Sequence, residues 1–118
     1  MKLRTLSLAL LVLALGLVLA PAAISKPAAT KATTVLVTAK EFKFTLSKRT
    51  VPKGIVTFKV TNKGALPHDF KISGKKTAMI KPGKSATLKV TLTKGAKPYI
   101  CTVPGHAAAG MKGSLRVT

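Results

Sequence analysis

The side chains of this sequence that could bind a soft metal ion are concentrated in one short segment near the C-terminus. Cys101, His106 and Met111 follow one another in the pattern Cys-x4-His-x4-Met. The chain of 118 residues has one cysteine, two histidines and three methionines, so this segment holds a large share of its soft ligand groups. Thiolate, imidazole and thioether ligands together favour a soft transition metal such as copper.

The residues between these side chains predict turns that bring them to one point. Residues 99–101 are typical of the end of a strand, and Pro104-Gly105 then bends the chain so that His106 returns beside the cysteine. A second turn brings Met111 back to the same place. His68 is the other histidine of the chain, and we expect it to close the site from a strand elsewhere in the domain.

Two imidazoles, one thiolate and one thioether predict a mononuclear copper site with a weak axial thioether. Structural zinc sites usually take four cysteine or histidine ligands, and iron–sulfur clusters need more thiolates than this chain has. Taken singly, a buried cysteine, a loop histidine or a core methionine needs no metal. Their joint order and spacing favour copper. The predicted ligands are His68, Cys101, His106 and Met111.

The N-terminal region predicts export from the cytoplasm. A basic start precedes an apolar stretch from Leu6 to Ala20, and Ala20-Pro21-Ala22 offers the small residues that a signal peptidase requires. We interpret residues 1–22 as a signal peptide, with an uncleaved membrane anchor as the alternative. Residues 23–34, rich in Lys, Ala, Thr and Pro, predict a flexible tether, and residues 35–118 the folded domain.

The folded domain shows the period-two alternation of apolar and polar residues that is typical of half-buried strands. Turn sequences that combine glycine with proline, asparagine or lysine separate the runs. The spacing predicts an all-β sandwich of about seven or eight strands. The alternating apolar positions are Phe42, Phe44 and Leu46, then Val56, Phe58 and Val60, then Leu88, Val90 and Leu92, and finally Leu115 and Val117.

The segment Cys101-Thr-Val-Pro-Gly-His106, with Met111 after it, resembles the copper loop of the cupredoxins, the plastocyanin and azurin family. Its opening is similar to that of azurins, and its longer spacing from histidine to methionine is similar to that of auracyanins and rusticyanin. The resemblance implies a Greek-key sandwich, one type 1 copper ion and one-electron transfer. A second segment resembles the one that carries the family's first histidine, through Asn62, Gly64, Pro67 and His68.

Asp69 departs from this family pattern, in which an asparagine commonly follows the first histidine and ties its strand to the residue after the cysteine. One interpretation is that Asp69 has the same role and accepts hydrogen bonds from the main chain or hydroxyl of Thr102. Its charge would then lower the reduction potential of the metal. The other interpretation is a surface carboxylate paired with a nearby lysine.

The predicted function is therefore single-electron transfer by an exported copper protein, in the periplasm or at the cell surface. A complete set of four ligands, without a nearby general base, argues against an enzyme. The alternative function is copper storage, delivery or resistance at the same site. Nucleic-acid binding is disfavoured despite 21 lysine and arginine residues against two acidic ones, because only 4% of residues are aromatic and no recognition motif is present.

The sequence also predicts how the protein meets its partners. We expect His106 to be the exit for the electron, with Ala107, Ala108 and Ala109 as a small apolar rim that permits weak docking. The lysine excess predicts redox partners with acidic docking surfaces, and a weak attraction to an anionic cell wall or lipid surface. A single cysteine excludes an internal disulfide, and we expect a monomer.

Overall fold

The computed structural model describes residues 14, 16–18, 20, 21 and 32–118. Most of the predicted signal peptide and tether lies outside these residues, so those two interpretations stay predictions. Among the described residues, no helix has the length and apolar character needed to cross a membrane. The first strand begins at Thr33, two residues before the predicted start of the domain, because Thr33 and Thr34 already pair with Val56 and Thr57.

Within the described residues the chain forms nine strands arranged in two sheets. One sheet has the order β2-β1-β4-β7 and the other the order β3-β9-β8-β5-β6. This architecture confirms the predicted β-sandwich, and three strands of only two residues account for the higher strand number. The strands are β1 Thr33–Lys40, β2 Lys43–Leu46, β3 Thr50–Val51, β4 Gly54–Asn62, β5 Lys71–Ile72, β6 Lys75–Lys76, β7 Ser85–Leu92, β8 Gly95–Ile100 and β9 Lys112–Val117.

The sequence alternation places one face of each long strand in the core between the sheets. In β4, Val56, Phe58 and Val60 are fully buried, whereas Lys59 between them is exposed. Each such buried side chain contributes roughly 1.5–3 kcal/mol through removal of apolar surface from water. The predicted apolar positions in β7 and β9 also face the core, although Leu88 is only partly buried.

Phe70 anchors the segment that carries His68 into this core. Its side chain is fully buried, and its ring centroid lies 5.2 Å from that of Phe44 and 5.1 Å from that of Phe58. Aromatic pairs in such tilted and edge-on arrangements add packing energy beyond the area that they bury. The backbone just before Phe70 is therefore held against a rigid sheet.

The pairing of the strands gathers three loops at one end of the sandwich. β1 runs parallel to β4 with Ala39 opposite Asn62, so the turn after β1 and the segment after β4 leave their sheet together. In the other sheet Ile100 pairs with Lys112, so the loop between β8 and β9 begins and ends at one edge. Glu41, His68 and the Cys101–Met111 loop come from these three connections.

Phe42 is the exception to the predicted strand pattern. The sequence places it at the first buried position of β2, but the strand begins at Lys43 and Phe42 lies in the turn after β1, with 39% of its surface exposed. Its ring packs against His106 instead of the core, at a centroid distance of 5.0 Å. Period-two alternation cannot show where a strand gives way to a turn, so this difference arises at the least predictable point.

Candidate metal centre

Main-chain hydrogen bonds close the loop from Cys101 to Met111 on itself. The Cys101 amide donates to the Met111 carbonyl at 3.0 Å, and the Met111 amide donates to the His106 carbonyl at 3.0 Å. Gly105 and Gly110 have φ angles of +84° and +119°, which side chains with a Cβ rarely adopt. The two turns predicted from the spacing are thus present, and they return the chain to the cysteine twice.

The strand-like segment before His68 is fixed by paired main-chain bonds and by a buried asparagine. The His68 amide donates to the Ile80 carbonyl at 3.1 Å, and the Ile80 amide donates back at 2.7 Å. Asn62 donates through Nδ2 to the carbonyls of Leu66 and Ile80, both at 2.8 Å, and its Oδ1 accepts from the Gly64 amide. These bonds fix the turn that leads to His68, so the imidazole projects from a rigid support.

The structure brings three of the four predicted ligands into direct proximity. The donor atoms of His68, Cys101 and His106 all lie within 4.8 Å of one another. Cys101 Sγ is 3.9 Å from His68 Nδ1 and 3.7 Å from His106 Nδ1, and the two Nδ1 atoms are 3.1 Å apart. The Met111 side chain is fully buried at the end of the same loop. Both histidines therefore face the site through Nδ1.

Burial raises the pKa of the Cys101 thiol above its ordinary value, chiefly because desolvation disfavours the thiolate. The protein without metal therefore carries a neutral thiol at physiological pH. A metal ion that binds the thiolate must displace this proton, since thiolates and not thiols are metal ligands.

Asp69 is a buried brace between the two halves of the site. Only 2% of its surface is exposed, and its Oδ1 accepts a hydrogen bond from the Thr102 amide at 2.6 Å. Its Oδ2 accepts a second hydrogen bond from the Thr102 hydroxyl. The interpretation of Asp69 as a tie to the residue after the cysteine is confirmed, and the alternative of a surface carboxylate paired with lysine is wrong.

Glu41 is a residue of the site that sequence reasoning missed. Its Oε1 lies 3.1 Å from His68 Nε2 and also accepts the amides of Ala65 and Leu66, at 2.8 and 2.7 Å. The Leu66 hydrogen bond is the main cause that lowers the pKa of Glu41 to about 2. A clue was available, because Glu41 and Asp69 are the two acidic residues of the chain and both support this site.

An open apolar hollow of about 380 Å³ lies beside His106, and it differs from the predicted rim of alanines. It is lined by Leu66, Pro67, Met79, Val103 and His106. Met79 is 54% exposed here and is not a core residue, whereas His106 is only 8% exposed. Leu66, Pro67 and Met79 are distant from His106 in the sequence, so their part in this hollow could not be predicted from sequence proximity.

These residues fit a single type 1 copper ion. Two imidazole nitrogens and one thiol sulfur converge in a buried site, with a buried thioether at the end of the same loop. Two histidines and a cysteine with a weakly bound methionine form the ligand set of blue copper sites. A tetrahedral structural zinc site would instead use only strong cysteine and histidine ligands.

Comparisons with known proteins agree with this geometry. A family model described as a cupredoxin-like domain matches residues 8–115 of the chain. Among solved structures, dithionite-reduced auracyanin from Roseiflexus castenholzii is similar, with a TM-score of 0.66 and 25% identity. That similarity covers 73% of this chain and 97% of the auracyanin chain.

Two curated proteins are similar over shorter segments. Auracyanin-B from Chloroflexus aurantiacus is 51% identical over 43 residues, which are 36% of this chain and 18% of that protein. A copper-resistant cuproprotein, CopI, from Pseudomonas aeruginosa is 45% identical over 42 residues, which are 35% of this chain and 23% of that protein. The matched segments thus span about a fifth of the length of these two relatives.

Proposed function

We propose that this chain, which belongs to the cupredoxin-like domain family, carries single electrons between redox partners outside the cytoplasm. The observation that carries the proposal is the buried convergence of two imidazoles and one thiol, with donor atoms within 4.8 Å of one another. The residues that would hold one copper ion are His68, Cys101, His106 and Met111.

A copper ion bound to this ligand set supplies a one-electron couple between Cu(II) and Cu(I). The contribution of the chain is to hold the same ligand positions in both states. The Cys101–Met111 loop is closed by its own main-chain hydrogen bonds. His68 is hydrogen-bonded to Ile80 through both its main-chain amide and its carbonyl. Asp69 joins these two supports through Thr102. Rigid supports of this kind keep the reorganisation on electron transfer small, which favours a carrier.

His106 is the expected contact point for redox partners. It is the predicted ligand that lines the open apolar hollow, beside Leu66 and Met79. The sequence has no lysine or arginine between Lys97 and Lys112, although cations are frequent elsewhere in the chain. We therefore expect partners with an apolar contact surface surrounded by acidic residues, which the distant lysines attract over long range.

A second candidate function is copper handling, in which the same site stores, delivers or detoxifies copper. This function is favoured by the similarity to a copper-resistant cuproprotein, which covers 35% of the chain. The two functions differ in the fate of the metal: a carrier keeps its copper through repeated reduction, whereas a delivery protein releases it to an acceptor.

The central test is reconstitution of the purified chain with copper. We expect an intense blue absorption from thiolate-to-copper charge transfer, which Cys101→Ser abolishes. Met79→Leu is the matched control, because it removes an exposed thioether outside the predicted ligand set. A chain that binds no copper would contradict both candidate functions.

Repeated electrochemical cycling in the presence of a Cu(I) chelator then separates the two functions. Retention of copper and a reversible one-electron wave support the carrier, and copper loss on the first reduction supports delivery. The rate of electron exchange with an acidic redox protein should fall as the salt concentration rises. It should also slow in Leu66→Ser, without a change in the blue absorption.

A further inference from the structure

The side chain of Glu41 makes an unusual set of contacts for a glutamate in so basic a protein. Lys40 and Lys43 lie close to it in the sequence, yet the side chain that its carboxylate contacts is the imidazole of His68. One oxygen, Oε1, accepts two main-chain amides and faces His68 Nε2 at 3.1 Å. The carboxylate therefore connects the turn after β1, the turn before His68 and the imidazole itself.

The contact with Glu41 decides which nitrogen of His68 carries the proton. A carboxylate at pH 7 accepts hydrogen bonds only, so Nε2 must be the donor. In neutral imidazole the other nitrogen then has a free lone pair. That nitrogen, Nδ1, is the one that faces Cys101 Sγ and His106 Nδ1.

We propose that Glu41 is a positioning residue of the copper site, which fixes the ring orientation and the Nε2–H tautomer of His68 before any metal binds. The inference deepens the proposed function and rests on it for the identity of the metal. Carboxylates that orient a metal-binding histidine from its far nitrogen are a general device of metal sites. Here the device is built into the turn between β1 and β2.

Gly64 provides the space in which the Glu41 carboxylate lies. A Cβ placed on Gly64 would overlap both carboxylate oxygens of Glu41, with Oε2 at 2.6 Å. Because those atoms end a flexible side chain, we expect an alanine at this position to displace the carboxylate. The glycine is therefore needed for the contact with His68, and its replacement removes that contact while Glu41 stays in the sequence.

The residue after Glu41 packs against the second imidazole of the site. The ring of Phe42 meets the ring of His106 edge-on, and the Phe42 carbonyl lies 3.3 Å from the position of a Cβ on Gly110. The turn at residues 41–42 thus contacts both histidines and the ligand loop. These contacts fix the position of Glu41 relative to both histidines. Its carboxylate can therefore orient His68 although the Glu41 side chain is partly exposed.

The first experiment uses nitrogen NMR of the metal-free protein to observe the His68 ring. We expect the Nε2–H tautomer, with slow exchange of its proton, in the wild-type chain. Gly64→Ala and Glu41→Gln should accelerate this exchange by about tenfold or more, since a hydrogen bond to a charged group is lost. Equal exchange rates in wild type and both variants would overturn the proposal.

The second experiment measures copper affinity by chelator competition and the reduction potential by voltammetry. Both variants should bind copper about 10- to 100-fold more weakly, as is typical when an outer partner of a ligand is removed. Glu41→Gln should also raise the reduction potential, because loss of a negative charge favours the less positive metal ion. Thr91→Lys is the control, since it changes the net charge of the chain by the same amount as Glu41→Gln, but at an exposed position in β7.

The outcomes separate this inference from the proposed function. Protected Nε2–H in a chain that binds no copper would reject the function but support the role of Glu41 in orienting His68. A blue protein in which Glu41→Gln, Gly64→Ala and Thr91→Lys all match the wild-type potential and affinity would overturn the inference and leave the function intact. If one variant does not fold, the other still tests the contact.

Discussion

Asp69 and Thr102 are joined by two hydrogen bonds, one from the Thr102 amide at 2.6 Å and one from its hydroxyl. Asp69 follows His68 and Thr102 follows Cys101, so this pair links the two segments that carry predicted ligands from different parts of the chain. The link lies beside the ligands and does not replace any of them. The pair therefore helps the fold to fix the distance between the His68 imidazole and the Cys101 thiol.

Asp69→Ala should therefore destabilise the metal-free protein. The change removes a buried acceptor with two donors, and we expect a loss of about 1–3 kcal/mol in the free energy of unfolding. Urea unfolding followed by circular dichroism measures this loss, with Thr91→Ala as an exposed control. Asp69→Asn can keep one acceptor for the Thr102 amide, so it should lose less stability than Asp69→Ala. Because this variant removes a negative charge, its reduction potential should rise. An unchanged midpoint for Asp69→Ala would contradict the role of the brace.

Copper binding should release a proton from Cys101. The raised pKa of the thiol means that the metal-free site is protonated at neutral pH, so binding of the thiolate becomes more favourable as pH rises. For one displaced proton the apparent affinity increases about tenfold per pH unit below the thiol pKa. Calorimetry in buffers of different ionisation enthalpy counts the protons. Binding without proton release would show that the thiol is not a ligand.

Met111→Leu should retain copper and raise its reduction potential. Leucine has nearly the volume of methionine, so the fully buried position should lose less than about 1.5 kcal/mol of stability. Loss of the weak thioether ligand removes a donor that stabilises the oxidised ion. Voltammetry measures the shift, and Met79→Leu provides the matched control. If both variants have the wild-type potential, Met111 is not the axial ligand.

Glu41 should make the stability of the metal-free protein depend on pH in acid. Its pKa falls from 4.5 to about 2 on folding, so its stabilising contribution is complete above the unfolded value of 4.5. The contribution is lost as pH falls towards about 2. Unfolding midpoints of wild type and Glu41→Gln should therefore differ at pH 6 and converge near the folded pKa. A difference that stays constant with pH would contradict an ionised Glu41 in the fold.

Much of the fold and of the ligand set could be predicted from the sequence, because both depend on local patterns. Alternation in β4 and β9 identifies the buried face of each strand without knowledge of its neighbours. Cys101, His106 and Met111 lie within one loop whose glycines and proline dictate its turns. His68 could be added because the chain has no third histidine. The start of β2 could not be predicted to the residue, because Phe42 in the turn before it fits the same alternating polarity pattern as the strand itself.

The supports of the site were decided by the tertiary structure alone. Glu41 reaches His68 because β1 and β4 are parallel and end side by side, a pairing that no local pattern encodes. The apolar hollow at His106 likewise combines Leu66, Met79 and Val103 from separate segments. The sequence determined which side chains can bind a soft metal, since that depends on their chemistry and spacing. Only the three-dimensional fold determined how the imidazoles are oriented and which face is open to a partner, because both depend on contacts between residues distant in the chain.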